Sequence, residues 1–390
     1  MRSVPPAPAV AAGLLASFVG FASSFAVILQ GLTAIGASPA EAASGLMALS
    51  IAMGLCGIFL SLATKMPVSV AWSTPGAALL VSSAVPAGGF PVAVGAFVAA
   101  AVLVVVSGFW RPLGRLIAAI PASLANAMLA GVLLPLCLAP VRAVVADPVA
   151  GLAVVGTWLA MTRIRRLLAV PAAAIVAVAM IVLKTPAGSF GIAHVLPVPV
   201  LITPVFTVES LLGIAFPLFL VTMASQNIPG LAILKINGYE PNPGPLFSVT
   251  GLFSLAASPF GAHAVNLAAI TAAICAGEEA GADRTKRYWS GVVSGLGYVA
   301  FGLAAGLVTA FAGLSPLLIQ AVAGLALLGA LSSSLHGAME RTEHREAAAI
   351  TFLVTVSGTA ILGISSAFWG LVAGAVVLGV LRVGRKGASR

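Results

Sequence analysis

The sequence predicts an all-α polytopic membrane protein with about 14 transmembrane segments. Hydrophobic residues make up 60% of the 390 positions, and the mean hydropathy is +1.14. Only 19 Lys and Arg and 10 Asp and Glu are present. Stretches such as 9–35 and 90–109 carry no charge over about 20 residues, which is the length that a helix needs to span a bilayer. A soluble domain could not keep so much apolar surface away from water.

The apolar stretches recur along the whole chain and are separated by charged or Pro-containing turns. The first stretch is longer than the apolar part of a signal peptide and lacks an obvious cleavage site, so we interpret it as a retained first helix. The predicted spans lie near residues 10–33, 41–63, 68–85, 91–110, 116–140, 149–162, 167–184, 209–234, 246–258, 264–276, 288–312, 316–334, 347–363 and 365–381.

The basic residues predict the orientation. The net charge of +9 does not indicate a nucleic-acid partner, because clusters such as 163–166 and 284–287 lie directly beside apolar spans. Such charge is typical of solvated cytoplasmic loops. With both termini in the cytoplasm, seventeen basic residues fall inside and only Arg142 and Lys184 fall outside. We therefore expect a multi-pass protein of the inner membrane whose surface contacts the lipid bilayer.

A Pro-rich segment divides the predicted spans into two sets of seven. Residues 186–207 include Pro186, Pro197, Pro199 and Pro204, which interrupt the helical pattern. An odd number of spans in each half makes the halves run through the membrane in opposite directions, as in many secondary transporters. This predicts a 7+7 inverted repeat, with residues 1–186 and 205–390 as its two halves.

Two short spans, each third in its half, are interrupted. In the first, 67–72 is predicted to be extended and Ser73, Thr74, Pro75 and Gly76 form a helix start. In the second, the stretch 259–266 precedes an apolar helix, and Asn266 is the expected cap. Non-helical backbone at membrane depth occurs where it is buried in protein or lines a cavity.

These two half-helices are expected to point their N-termini at each other near the middle of the membrane. Each N-terminus carries unpaired N–H groups and about half a positive charge, which favours an anion such as a carboxylate. The structural alternative is a pair of kinks that allow close helix packing. Matching positions in the two halves favour the functional interpretation.

Further polar residues lie close to these breaks. Gln226 and Asn227 interrupt an apolar span, where they either join neighbouring helices or contact substrate. His263 lies just before the second half-helix, and its charge can change near neutral pH. It is therefore either a hydrogen-bonded core residue or a ligand for substrate or proton.

Several functional classes lack support in the sequence. No G-x-x-x-x-G-K loop is present, so an ATP-driven pump is not indicated. Cys56, Cys137 and Cys275 all lie in apolar stretches and suggest neither a disulfide framework nor a metal cluster. No nucleophile and base pair stands out. The sequence predicts no enzyme, no cofactor and no metal site.

The motifs at 71–77 (AWSTPGA), 224–230 (ASQNIPG) and 259–267 (PFGAHAVNL) resemble those of the BenE family of benzoate:proton symporters. The resemblance covers essentially the whole chain. It implies uptake of benzoate or a close aromatic carboxylate with a proton, and a fold related to the nucleobase and sulfate-type transporters. In that fold a core domain and a gate domain are each assembled from both halves.

The nucleobase relatives commonly carry acids at places that match Gln226 and His263. Their absence here suits an anionic substrate.

We therefore predict a secondary active transporter that imports an aromatic carboxylate together with a proton. A carrier of another small molecule, such as a nucleobase, and an anion channel stay open as alternatives, as does a homo-oligomer. His263 is the proton-coupling candidate, and the ring of the substrate is expected against apolar groups such as Trp72. The predicted substrate-binding residues are Trp72, Ser73, Thr74, Gly76, Gln226, Asn227, His263, Asn266 and Leu267.

Overall fold

The computed structural model describes residues 4–110, 121–184, 197–362 and 364–388, and they form a helical bundle with one short strand pair. The first-half elements are α1 (Ala7–Ala34), α2 (Pro39–Thr64), β1 (Val70–Trp72), α3 (Thr74–Val81), α4 (Phe90–Phe109), α5 (Ala122–Cys137), α6 (Ala139–Ala146), α7 (Pro148–Arg165) and α8 (Ala169–Lys184).

The second half contains one long helix with two π-helical segments, followed by shorter elements. These are α9 (Val208–Ile236), α10 (Pro243–Ala257), β2 (Val265–Leu267), α11 (Ile270–Ala276), α12 (Tyr288–Leu303), α13 (Ala305–Leu314), α14 (Pro316–Met339), α15 (Arg345–Val356) and α16 (Ser366–Ala388). The π-helical segments of α9 are Leu211–Ala215 and Met223–Asn227.

Among the described residues, seven helical segments are long and apolar enough to cross a bilayer. The membrane class predicted from hydropathy is therefore confirmed. Every predicted span has a helix or a strand with a half-helix at its position, although 116–120 lies outside the described residues. The count of fourteen crossings stays a prediction.

Local sequence signals set several helix starts. Ser38 and Glu41 form a reciprocal capping box at α2, with Pro39 in the first turn. The Asp147 carboxylate accepts the Ala150 N–H at the start of α7. Asn242 caps α10 in the same way through the Gly244 N–H.

The described part of the Pro-rich segment, 197–207, contains no helix, as predicted; residues 186–196 lie outside the described residues. Its backbone N–H groups bond to other parts of the bundle. Val200 donates to the Ser44 hydroxyl, Ile202 donates to the Pro259 carbonyl and Val205 donates to the Pro91 carbonyl. The segment therefore packs against α2, α4 and the approach to β2.

Helix contacts occur in matched pairs. The contact of α2 with α12 corresponds to that of α10 with α4, and the contact of α1 with α3 corresponds to that of α9 with α11. Likewise α7 packs on α8 as α15 packs on α16. The elements fall into two groups, one formed by α1–α4 with α9–α13 and both strands, the other by α5–α8 with α14–α16. The contact of α5 with α14 lies at the centre of the second group.

Candidate substrate site between two interrupted spans

The two interrupted spans meet through a pair of three-residue strands. β1 and β2 are antiparallel, and Ala71 lies opposite Asn266. Two further backbone bonds extend the pairing: Ser73 N–H donates to Ala264 O (3.1 Å), and Ala268 N–H donates to Ser69 O (2.9 Å). The pairing satisfies backbone groups that would otherwise be orphaned at membrane depth. The sequence-based prediction of two extended stretches that lead into half-helices is confirmed.

Ser73 organises the start of α3. Its hydroxyl accepts the Gly76 N–H (3.1 Å) and the hydroxyl of Thr222 from α9 (2.8 Å). Gly76 is required here, because an added Cβ would lie 2.5 Å from the Leu218 side chain. Ser73 and Gly76 therefore fix α3 against α9.

Trp72 is almost fully buried. Its indole N–H donates to the Ser24 hydroxyl on α1 (2.8 Å), and its ring centroid lies 5.5 Å from that of Phe21. These contacts attach β1 to α1 and occupy the only polar atom of the indole.

His263 is completely buried beside the start of α3. Its Nε2 lies 2.9 Å from the Ser73 carbonyl oxygen, which also accepts the Ala77 N–H (2.8 Å). A carbonyl oxygen only accepts, so Nε2 carries the hydrogen and Nδ1 has the free lone pair. Nδ1 is buried and has no hydrogen-bond partner in the described part of the chain. The Phe97 ring lies edge-on to the imidazole.

Asn227 joins α9 to the second strand. Its Oδ1 accepts the Leu267 N–H (2.9 Å), and its Nδ2 lies 3.1 Å from the Met223 sulfur. The prediction that Asn266 caps the second half-helix is wrong. Asn266 belongs to β2, its Nδ2 donates to the Leu267 carbonyl (2.8 Å), and α11 begins only at Ile270 without a side-chain cap. Strand pairing with β1 takes the chain past Asn266 before the helix can begin.

The predicted site residues form two sets, one buried and one half-buried. Seven are buried: Trp72, Ser73, Gly76, Asn227, His263, Asn266 and Leu267. Thr74 and Gln226 are half-buried, and their side chains form no hydrogen bond to the residues that the structure describes. The buried seven lie where the two spans meet, whereas the side-chain polar atoms of Thr74 and Gln226 have no partner among the described residues.

Several hydroxyl groups that hold the strand pair were not predicted from the sequence. Ser254 on α10 accepts the Val265 N–H (2.8 Å), and Ser69 shares a hydrogen bond with Thr271 (2.7 Å). Ser24 and Thr222 have parallel roles on α1 and α9. Their only sequence signal is a small polar residue within an apolar span, which is too common in membrane helices to indicate a site.

The site contains no charged side chain, and none of the nine residues is acidic. In the described ranges, no group of three or more His, Cys, Asp and Glu could hold a metal ion. Of the Asp, Glu, Lys and Arg residues whose burial is described, which lie before residue 382, Arg287 alone is buried, at 5% exposure. It is therefore not a solvated loop charge, because its side chain folds back against the end of α11; its cytoplasmic location stays a prediction.

A cavity of about 360 Å³ lies away from the strand pair, at the far end of α3. α3 has eight residues, so this cavity is about 12 Å from Ser73. Its walls come from the end of α3 and from α5 and α15, which belong to the second group of helices. The boundary between the two groups is therefore loosely packed at this end.

The chain matches the family described as "Benzoate membrane transport protein", BenE, over residues 3–380. It belongs to the BenE family. It is 40% identical over 382 residues to the inner membrane protein YdcO of Escherichia coli (strain K12), covering 98% of this chain and 97% of that protein. It is 35% identical over 382 residues to the benzoate membrane transport protein of Acinetobacter baylyi (strain ATCC 33305 / BD413 / ADP1), covering 96% and 95%.

Two solved structures have a similar fold. The structure of SLC26A9 matches with a TM-score of 0.63 at 13% identity, covering 97% of this chain and 65% of that chain. The transmembrane domain of a cyanobacterial bicarbonate transporter, BicA, matches with a TM-score of 0.58 at 15% identity, covering 95% and 97%. The BenE family member described here is thus a multi-pass inner-membrane transporter with a fold similar to these two proteins, and not an enzyme.

Proposed function

We propose that this BenE family member is a secondary active transporter that imports benzoate or a similar aromatic carboxylate together with a proton. The observation that carries this proposal is the strand pair that joins two half-helices inside the bundle, bordered by polar residues that include no acid. Such a site suits an anion of small size, because nothing in it repels a carboxylate. Membership of a benzoate transport family supports the aromatic substrate.

In this proposal the carboxylate binds at Thr74 and Gln226, beside the positive end of α3. The Thr74 hydroxyl and the Gln226 amide N–H groups are donors without a hydrogen-bond partner among the described residues. Ser73, Asn227 and Leu267 fix the backbone around the ligand through the bonds described above. Trp72 contributes by holding β1 on α1, since its indole N–H and ring are already engaged there.

His263 is proposed to carry the coupled proton. Its Nε2–H bond to the Ser73 carbonyl fixes the ring, and Nδ1 is the atom that can accept a proton. Protonation would place a positive charge next to the helix start where the carboxylate binds. Proton and substrate would then stabilise each other and move together, which is the requirement of symport.

Matched helix contacts support a 7+7 inverted repeat, with halves 1–186 and 205–390. The α1–α3 and α9–α11 contacts correspond, as do the α2–α12 and α10–α4 contacts and the α7–α8 and α15–α16 contacts. The group that contains both strands corresponds to a core domain, and the α5–α8 and α14–α16 group corresponds to a gate domain. Relative movement of these two domains would expose the site to each side in turn.

Loop contacts support the predicted alternation of the loops between the two sides, and the basic-residue count supports cytoplasmic termini. The Lys65 ammonium lies over the Tyr288 ring, and the Tyr239 hydroxyl donates to the Arg284 carbonyl, so loops predicted to be cytoplasmic lie together. Lys184 and Asp147, both predicted to be external, form an ion pair. Contacts between loops of the same predicted side are expected only if the orientation of successive spans is correct.

Counterflow in proteoliposomes tests the substrate class. Vesicles loaded with unlabelled benzoate should take up labelled benzoate in a saturable manner, and related aromatic carboxylates should compete better than nucleobases. Preferential exchange of nucleobases would instead support the carrier of another small molecule. Anion conductance without saturable exchange would identify a channel.

A further inference from the structure

Arg287 is the one buried charged side chain among the residues whose burial is described, which lie before residue 382, and no carboxylate among the described residues neutralises it. The ion pairs in these ranges are Lys184 with Asp147 and Lys286 with Asp283. The other acids of the same loop, Glu278 and Glu279, are exposed. Burying an unpaired charge costs several kcal/mol, so the buried guanidinium requires a compensating interaction.

The compensation comes from the carbonyl end of half-helix α11. Arg287 Nη1 donates to the carbonyl of Ala276, the last residue of α11 (2.8 Å), and Nε donates to the Gly281 carbonyl (2.6 Å). The Ser290 hydroxyl donates to the adjacent Cys275 carbonyl (2.8 Å). Unpaired carbonyls give a helix C-terminus a partial negative charge, which a cation stabilises.

The Arg287 side chain does not stabilise α12, the helix at whose start it lies. Arg287 is the N-cap residue of α12, where a positive charge is unfavourable. Its side chain instead reaches back across the 278–286 loop to α11. The other half-helix, α3, ends without such a cation: Ser82 and Ser83 hydroxyls donate to the Leu79 carbonyl. A buried cation therefore contacts the C-terminus of α11 but not that of α3.

We propose that Arg287 is a positioning residue that fixes the cytoplasmic end of α11 and supplies a long-range positive charge by which the central site prefers an anion. This inference rests on the proposed function, because it requires an anionic substrate. α11 has seven residues, so the guanidinium lies about 12 Å from the strand pair. With an effective dielectric constant of about 20, a unit charge at about 12 Å changes the affinity for an anion about tenfold.

The charge of arginine is also constant. An arginine guanidinium keeps its charge in proteins, so its effect on the substrate does not vary between pH 6 and pH 8. A proton carried by His263, as proposed above, would instead make part of the affinity depend on pH. The pH dependence of affinity thus distinguishes the two contributions.

The test is equilibrium binding of labelled benzoate to the purified full-length protein in detergent. Arg287→Gln should weaken binding about tenfold at both pH 6 and pH 8, while Arg287→Lys, which keeps the charge, should remain within about threefold of the unmodified chain. Lys286→Gln is the matched control, because it removes the same charge from an exposed position in the same loop. It should leave affinity unchanged.

Each outcome of the binding measurement either supports or overturns the role proposed for Arg287. Unchanged affinity in a folded Arg287→Gln protein overturns it, as does an equal loss with Gln and Lys, which would indicate shape rather than charge. If Arg287→Gln does not fold, Arg287→Lys decides: near-normal affinity supports the charge, and a loss above about tenfold in folded protein overturns it. Failure of the unmodified chain to bind benzoate would overturn the proposed function and this inference together.

Discussion

Gln226 and Asn227 are neighbours in sequence, and the structure predicts opposite consequences for their substitution. Gln226 is half-buried and forms no hydrogen bond to the described residues, whereas Asn227 is fully buried and accepts the Leu267 N–H. Gln226→Ala should therefore remove a ligand contact with little change in the folded protein. Asn227→Ala should disturb the strand pair.

The magnitudes follow from the contacts. A hydrogen bond to a charged group contributes about 1.5–3 kcal/mol, so Gln226→Ala should lower benzoate affinity about tenfold to hundredfold. Asn227→Ala leaves the buried Leu267 N–H without a partner, which costs about 1–3 kcal/mol of stability. Asn227→Asp keeps an oxygen in place for that N–H but adds negative charge, so it should weaken substrate binding more than its effect on folding explains.

Two assays separate these effects. Equilibrium binding of labelled benzoate gives the affinity, and thermal unfolding in detergent monitored by intrinsic fluorescence gives the relative stability. Normal affinity in a folded Gln226→Ala protein would refute the assignment of Gln226 to the site. Unchanged stability of Asn227→Ala would show that its bond to Leu267 does not hold the strand pair.

Four further predictions concern proton coupling, packing, topology and an exposed ion pair. His263→Gln should preserve counterflow, because the Gln amide can still donate to the Ser73 carbonyl, but abolish accumulation driven by a pH gradient; normal accumulation would assign the proton to another group. Gly230→Val should prevent normal assembly, since an added Cβ already lies 2.8 Å from the Leu267 side chain, and normal yield and transport would contradict this packing. A single thiol placed near Lys386 should react only with reagents from the cytoplasm, and labelling from outside would overturn the orientation. Asp147→Ala should leave transport unchanged and lower stability only slightly, because it removes an α7 cap and an exposed ion pair; a strong transport defect would contradict this.

The sequence was sufficient for the features that depend on local pattern. Uncharged stretches of helical length predicted the bundle, and Pro and Gly at 67–76 and 259–261 predicted both interruptions. Features that depend on distant partners were not accessible. The strand pairing that displaces the start of α11 from Asn266 to Ile270 requires Ala71 opposite Asn266. Pro229 and Gly230 favour an irregular helix at the preceding residues, where the π-helical segment Met223–Asn227 lies, but they do not specify the bond between Asn227 and Leu267.

The burial of Arg287 also depends on a distant partner and could not be predicted from the sequence. Beside Arg284 and Lys286 it was indistinguishable from a solvated loop residue, because the number and proximity of basic residues define orientation and not burial. Only the return of the chain from α11 to α12 brings its side chain to the Ala276 carbonyl.

Accumulation of labelled benzoate in proteoliposomes under an imposed pH gradient tests the central claim most directly, with protein-free liposomes to correct for acid that crosses the lipid unaided. Proton-coupled import at the strand pair predicts saturable accumulation above equilibrium when the outside is acidic. It also predicts loss of that accumulation with a protonophore, and a reduced apparent affinity in Gln226→Ala. Equilibration without accumulation, insensitive to the protonophore and to Gln226→Ala, would contradict both the coupling and the location of the site.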